Sequence, residues 1–174
     1  MKFLMAGVNA KYIHSCLAVH SIRAYVKHNM EKTDICVAEY TINQRPEDVV
    51  SDIYIKKPDF IGFSCYLWNI EFISKILDEI KILLPECHIW LGGPEVSFNS
   101  SDRLRDYPAV KGIIVGEGEG IVLDLINHYD NDELEYLKER EVDTTDEKYI
   151  AWKINESISI KWKPKGKWKY CSST

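Results

Sequence analysis

Lys57-Pro58-Asp59-Phe60-Ile61-Gly62-Phe63-Ser64-Cys65-Tyr66-Leu67-Trp68-Asn69 is the stretch that decides the fold. Lys57-Pro58-Asp59 stops a preceding helix, since proline disfavours helical geometry in the residue before it. The short apolar run Phe60–Phe63 then has the character of a strand buried on both faces of a parallel sheet. It ends in a hydroxyl-bearing turn, Ser64-Cys65-Tyr66. From Asn69, a plausible N-cap, the spacing becomes helical, with Ile70, Ile73, Ile76, Leu77 and Ile80 on one stripe until Pro85. The segment is one strand–turn–helix unit.

The same pattern extends in both directions. Residues 2–7 form a first strand, and an amphipathic helix from His14 to His28 carries Leu17, Ala18, Ile22, Tyr25 and Val26. Asp34–Tyr40 is a second strand. Pro46 opens the next helix, with Glu47 and Asp48 favourable at its start and Val49, Val50, Ile53 and Tyr54 turned inward. Cys87–Leu91 and Gly112–Val115 are the fourth and fifth strands, with a short helix near Ser101–Tyr107 between them. A last helix runs from Glu119 past His128. Repeated βα units with right-handed crossovers predict a three-layer α/β/α, flavodoxin-like (Rossmann-like) sheet of five parallel strands in the order 2-1-3-4-5.

The 174 residues, 45% of them apolar, suit one such domain over 1–129 with a short C-terminal appendage. Residues 130–150 read as an acidic linker or solvated helix, with nine acidic residues in 130–147 against Lys138 and Arg140. Residues 151–174 form a Lys/Trp-rich tail, either a strand or disordered. If Lys161–Tyr170 is one strand, alternation puts five lysines on one face and Trp162, Trp168 and Tyr170 on the other. Such a surface could grip single-stranded nucleic acid, but lysine and proline are also usual on an edge strand. A net charge of −5 argues against nucleic-acid binding by the body of the chain. No run approaches transmembrane length, the N-terminus lacks a secretory pattern, and five scattered cysteines without a C-x-x-C pair fit a reducing cytoplasm.

In an open α/β sheet, ligands bind outside the carboxyl ends of the strands. Three turns of this chain belong on that edge: Ser64-Cys65-Tyr66, Gly92-Gly93-Pro94-Glu95 and Gly116-Glu117-Gly118-Glu119. Ser64 and Tyr66 offer hydroxyls. Gly92 and Gly93 remove side chains where a ligand or a neighbouring backbone must approach. Trp68 could cover a flat ligand or simply pack. The glutamates of the third turn disfavour phosphate and favour hydroxyl or amide partners. The loop after the first strand adds Asn9, Lys11, Tyr12 and His14. A response-regulator receiver shares the topology but needs aspartates where Asn9 and Ser64 stand. Cys65 has no identifiable base beside it, so a buried, inert thiol is the simpler expectation.

Taken together, Asn9-Ala10-Lys11-Tyr12-Ile13-His14, Lys57 to Ser64, Leu91-Gly92-Gly93-Pro94-Glu95 and Gly116-Glu117-Gly118-Glu119 resemble the N-terminal cobalamin (vitamin B12) binding module of cobalamin-dependent radical SAM enzymes. Members of that group are often labelled magnesium-protoporphyrin monomethyl ester cyclase-like. The general cobalamin pattern is D-x-H-x-x-G, then S-x-L, then GG. Here the serine is Ser64 and the GG is Gly92-Gly93, while Tyr66 replaces the leucine. Asn9, Lys11 and His14 replace the first motif. The resemblance implies cobalamin held without a histidine lower ligand, since a lysine ammonium has no lone pair to give. It further implies that Ser64 and Gly92-Gly93 accommodate the nucleotide tail and that Tyr66, Trp68, Pro94 and Glu95 border the corrin. Glu117 and Glu119, around Gly118, would bond its amides or ribose.

The chain lacks the C-x-x-x-C-x-x-C spacing that holds a [4Fe–4S] cluster. The expectation is therefore a cofactor-carrying module, not catalytic alone, with no catalytic residue or protein-held metal of its own. Its partner would be a radical SAM catalytic domain, in cis or trans, that binds the cluster and S-adenosylmethionine. Competing expectations are a stand-alone regulatory or interaction module and a small enzyme using Cys65, His14 and Glu117. Flavin binding is a minor option on topology alone.

Overall fold

The computed structural model describes residues 1–10, 14–130, 149–154, 157–162 and 169–173. Strand β1 (Lys2–Asn9) leads to α1 (Leu17–Asn29), β2 (Asp34–Thr41), α2 (Pro46–Lys56), β3 (Phe60–Ser64) and α3 (Ile70–Leu83). Then come β4 (His88–Gly92), the short α4 (Pro94–Ser97), α5 (Ser100–Asp106), β5 (Val110–Val115) and α6 (Gly118–Asp130). The five strands β1–β5 are parallel neighbours in the order 2-1-3-4-5, as the sequence predicts.

The structure differs from the sequence reading in three places. Helix α1 starts at Leu17, because His14–Cys16 lead into it in non-helical conformation. Pro94 opens the extra turn α4 directly after Gly93, whose φ of 106° suits glycine. Finally, the sheet continues past β5. Strands β6 (Tyr149–Ile154), β7 (Ser157–Trp162) and β8 (Lys169–Ser173) add to it in antiparallel fashion. The lysine-rich run is thus not one strand: Trp162 of β7 pairs with Lys169 of β8, and residues 163–168 lie outside the described set. So do 131–148, where most of the acidic segment falls; residues 149–150, read from sequence as part of it, begin β6.

Alternation along the strands separates two cores. One face packs Leu4, Ala6, Ile61, Phe63, Leu91 and Ile113 against α2 and α3 and against Val96 and Leu104 of α4 and α5. Its most buried helix residues, Ile73, Ile76, Leu77 and Ile80, follow the stripe expected of α3. Each is worth about 1.5–3 kcal/mol of transfer free energy. The other face packs Phe3, Met5, Phe60, Trp90 and Ile114 against α1 and α6. There Trp90 Nε1 donates to Tyr129 Oη at 3.0 Å, satisfying both buried polar atoms.

Candidate functional site

Register aligns Gly7 with Ser64, Ser64 with Gly92, and Gly92 with Ile114. This row crosses the α1/α6 face near the carboxyl ends of the strands, and three of its four members are small. A cavity of about 280 Å³ lies over Ser64, Gly92 and Ile114 of this row, while Cys16 and Val19 cover Gly7. Its floor includes Gly62, Ser64, Gly92 and Ile114; Ala18, Val19 and Ile22 of α1 and Val122 of α6 form the walls. The cavity is predominantly apolar, as pockets for organic ligands are. Ser64 is buried and places a hydroxyl on this apolar lining.

The two adjacent glycines have different tasks. A Cβ on Gly92 would meet nothing closer than Ile114 at 3.6 Å, so its missing side chain is open space in the cavity. A Cβ on Gly93 would lie 2.4 Å from the Cys65 carbonyl oxygen, and φ is 106°. Gly93 is therefore a turn glycine, needed for the approach of two backbones. The Cys65 N–H donates to Gly92 O at 2.7 Å across that contact.

Ser64, Tyr66, Gly92, Gly93, Pro94, Glu117, Gly118 and Glu119 all line this one cavity. Trp68 stacks on Tyr66, ring centroids 4.5 Å apart and planes 4° from parallel, and remains 52% exposed at the same edge. Glu119 accepts a hydrogen bond from Ser21 Oγ at 2.8 Å, tying α6 to α1. Glu95 instead pairs with Arg103 of α5 at 3.2 Å and lines a separate groove. Asn9 donates to Glu39, His14 is exposed ahead of α1, and Lys11 and Tyr12 lie outside the described residues.

Cys65 points into the opposite core, and burial pushes its thiol up to about 12. Burial in this apolar core favours the neutral thiol over the thiolate. Of the three residues named for the small-enzyme alternative, Cys65 thus lies away from the cavity that Glu117 lines.

The organising roles of two residues escaped the sequence. Cys16 gives α1 no side-chain cap, and the first turn holds no acid. Glu39 of β2 supplies both from a distance. It accepts the Cys16 N–H at 2.6 Å and the Asn9 amide at 3.3 Å, with His20 Nε2 3.0 Å from its other oxygen. Partial burial, the largest single effect, pushes the Glu39 pKa up. Hydrogen bonds from His20, Cys16 and Asn9 together outweigh it, so the carboxyl sits below its ordinary range. The second residue is Asn69, completely buried beside Ser64. Glu39 gave no sequence signal, because its partners come together only through strand pairing.

The family model for the B12 binding domain matches residues 4–126. The chain belongs to the B12-binding domain family. Among curated relatives, the cobalamin-dependent radical SAM methyltransferase TokK of Streptomyces tokunonensis is 29% identical over 123 residues. That alignment covers 68% of this chain and 17% of the relative. The anaerobic magnesium-protoporphyrin IX monomethyl ester cyclase of Rubrivivax gelatinosus is 29% identical over 99 residues, covering 56% of this chain and 18% of the enzyme. The B12-binding domain thus spans only a small part of these relatives. Its fold is that of the radical S-adenosylmethionine methyltransferase TsrM from Kitasatospora setae, with a TM-score of 0.69 at 12% identity, over 91% of this chain and 30% of that one. OxsB, solved with aqua-cobalamin and S-adenosylmethionine bound, matches with a TM-score of 0.67 at 18% identity, over 98% of this chain and 22% of that one. No helix among the described residues is long and apolar enough to cross a membrane.

Proposed function

We propose that this B12-binding domain holds cobalamin at the carboxyl edge of its sheet, with the nucleotide tail in the α1/α6 cavity and the corrin outside it. The observation that carries this is the row Ser64–Gly92–Ile114, with Gly62 beside it, beneath an apolar cavity of about 280 Å³. That space suits a flat heteroaromatic tail and is too small for a corrin, which must rest on the rim. Ser64 Oγ is a polar atom on an apolar wall, placed to hydrogen-bond a ring nitrogen or ribose oxygen. Tyr66, Trp68 and Pro94 border the ring; Glu117 and Glu119, at the start of α6, receive its amides or ribose hydroxyls. Glu95, paired with Arg103, contributes at the outer margin.

On this reading cobalamin would be held without a histidine ligand to its cobalt. Lys11 stands where the histidine of the general motif would be, and His14 heads α1 at the surface. Bound cobalamin supplies a cobalt centre for group transfer, and this chain orients it while excluding water from the tail. The cluster and S-adenosylmethionine belong to a radical SAM domain acting with this one, in methyl transfer or ring formation.

The test is direct. Purified protein mixed with hydroxocobalamin should carry corrin absorbance through gel filtration, with no iron. Absence of co-migrating absorbance would refute the proposal.

A further inference from the structure

Asn69 has no solvent exposure, yet its side chain does not cap α3, the helix it precedes. Its amide nitrogen instead donates to two backbone carbonyls, Val8 O and Ser64 O, each at 2.9 Å. Its amide oxygen accepts the Tyr66 N–H at 2.8 Å. In return, Tyr66 O accepts the N–H groups of Asn69 and Ile70 at 3.0 and 3.1 Å. The exchange has the form of a capping box, in which a side chain reaches back to the backbone N–H three residues earlier. The side chain thereby joins the carboxyl ends of β1 and β3 and fixes the turn that delivers Ser64 and Tyr66 to the cavity.

Val8 O and Ser64 O need a donor, and Tyr66 N–H needs an acceptor. No hydrophobic residue supplies either, and an aspartate would set a carboxylate oxygen against two carbonyls. Leaving such buried groups unpaired is costly, so the turn would relax by moving. Any movement changes the relation between the Ser64 hydroxyl, the Tyr66–Trp68 stack and the cavity, while α3 keeps its own core stripe.

We infer that Asn69 is a positioning residue for the cofactor: it touches no ligand, but its three hydrogen bonds set the Ser64–Tyr66 turn in the geometry that admits one. The inference rests on the cobalamin proposal above. The experiment compares Asn69→Asp and Asn69→Ser with Ile76→Val, a control in the α3 core away from the turn. Affinity for hydroxocobalamin is measured by absorbance titration, melting temperature by circular dichroism, and backbone amide exchange by NMR. Both Asn69 variants should fold, bind hydroxocobalamin at least about tenfold more weakly, and exchange the Tyr66 amide faster while Ile73 and Leu77 stay protected. Ile76→Val should lower the melting temperature without changing affinity.

Affinity within twofold of the unsubstituted protein in a folded Asn69 variant would overturn the inference. So would an equal affinity loss in Ile76→Val, or failure of both Asn69 variants to fold, which would make the residue purely structural. If the unsubstituted protein itself binds no hydroxocobalamin, the cobalamin proposal fails. Amide exchange then decides the turn-setting role separately, and unchanged Tyr66 exchange overturns it.

Discussion

The two faces of the sheet are built from alternate residues of the same strands, yet at the carboxyl ends of the strands one is filled and the other is open. On the α2/α3 face, Ala6, Phe63, Leu91 and Ile113 lie side by side in register and are all buried. One residue further along, on the α1/α6 face, the row is Gly7, Ser64, Gly92 and Ile114. A strand reverses its facing at every residue, so one sheet presents a solid core below and a cavity above. Stability and binding are therefore separable by face, and substitutions can be chosen to test that separation.

The largest effect should come from the filled face. Ile61→Ala should cost about 4 kcal/mol in urea unfolding, because the site is completely buried and cannot collapse. A loss below about 1 kcal/mol would show that the filled face is loosely packed.

The open face should behave in the opposite way. Gly92→Leu places its side chain in the cavity, with only ordinary contact to Ile114 at 3.6 Å. Its stability should stay within about 1 kcal/mol while hydroxocobalamin affinity falls at least a hundredfold, or about 2.7 kcal/mol. Unimpaired binding would remove the tail from this cavity.

The smallest effect concerns the wall of the open face. Glu39→Gln weakens the remote cap on α1 and should cost about 1 kcal/mol, moderated by its partial exposure to solvent. Because the folded pKa of Glu39 is depressed, its contribution is full above the ordinary carboxyl value of 4.5 and fades as pH falls through the lower folded value. Stability curves of the two proteins should therefore converge in acid. A difference that grows on acidification would contradict the assigned role.

Much of this was legible in the chain. The βα repeat, the parallel order and the edge carrying the turns follow from apolar runs, helical stripes and prolines such as Pro58 and Pro85. The eight cavity residues named from sequence came from strand ends, where topology forces proximity. Glu95 did not join them, because Arg103 on a short helix of uncertain register offered a partner. Asn69 is the N-cap residue of α3, as Asn before an apolar stripe suggests, but its side chain does not cap; the acceptors it bonds, Val8 O and Ser64 O, are backbone atoms with no signature in sequence. The extension by β6–β8 was hidden for the same reason, as pairing onto an open edge depends on chain path.

The sequence by itself determined which residues alternate, where strands stop and which family pattern the turns resemble, because those are properties of neighbours along the chain. Only the tertiary structure decided that Gly92 is space and Gly93 is a turn. It alone placed Ser64 between two glycines, and brought Glu39 and Asn69 to hold the frame. Those outcomes depend on register across strands and on the approach of distant backbones, and a glycine looks the same in the sequence whichever of these it serves.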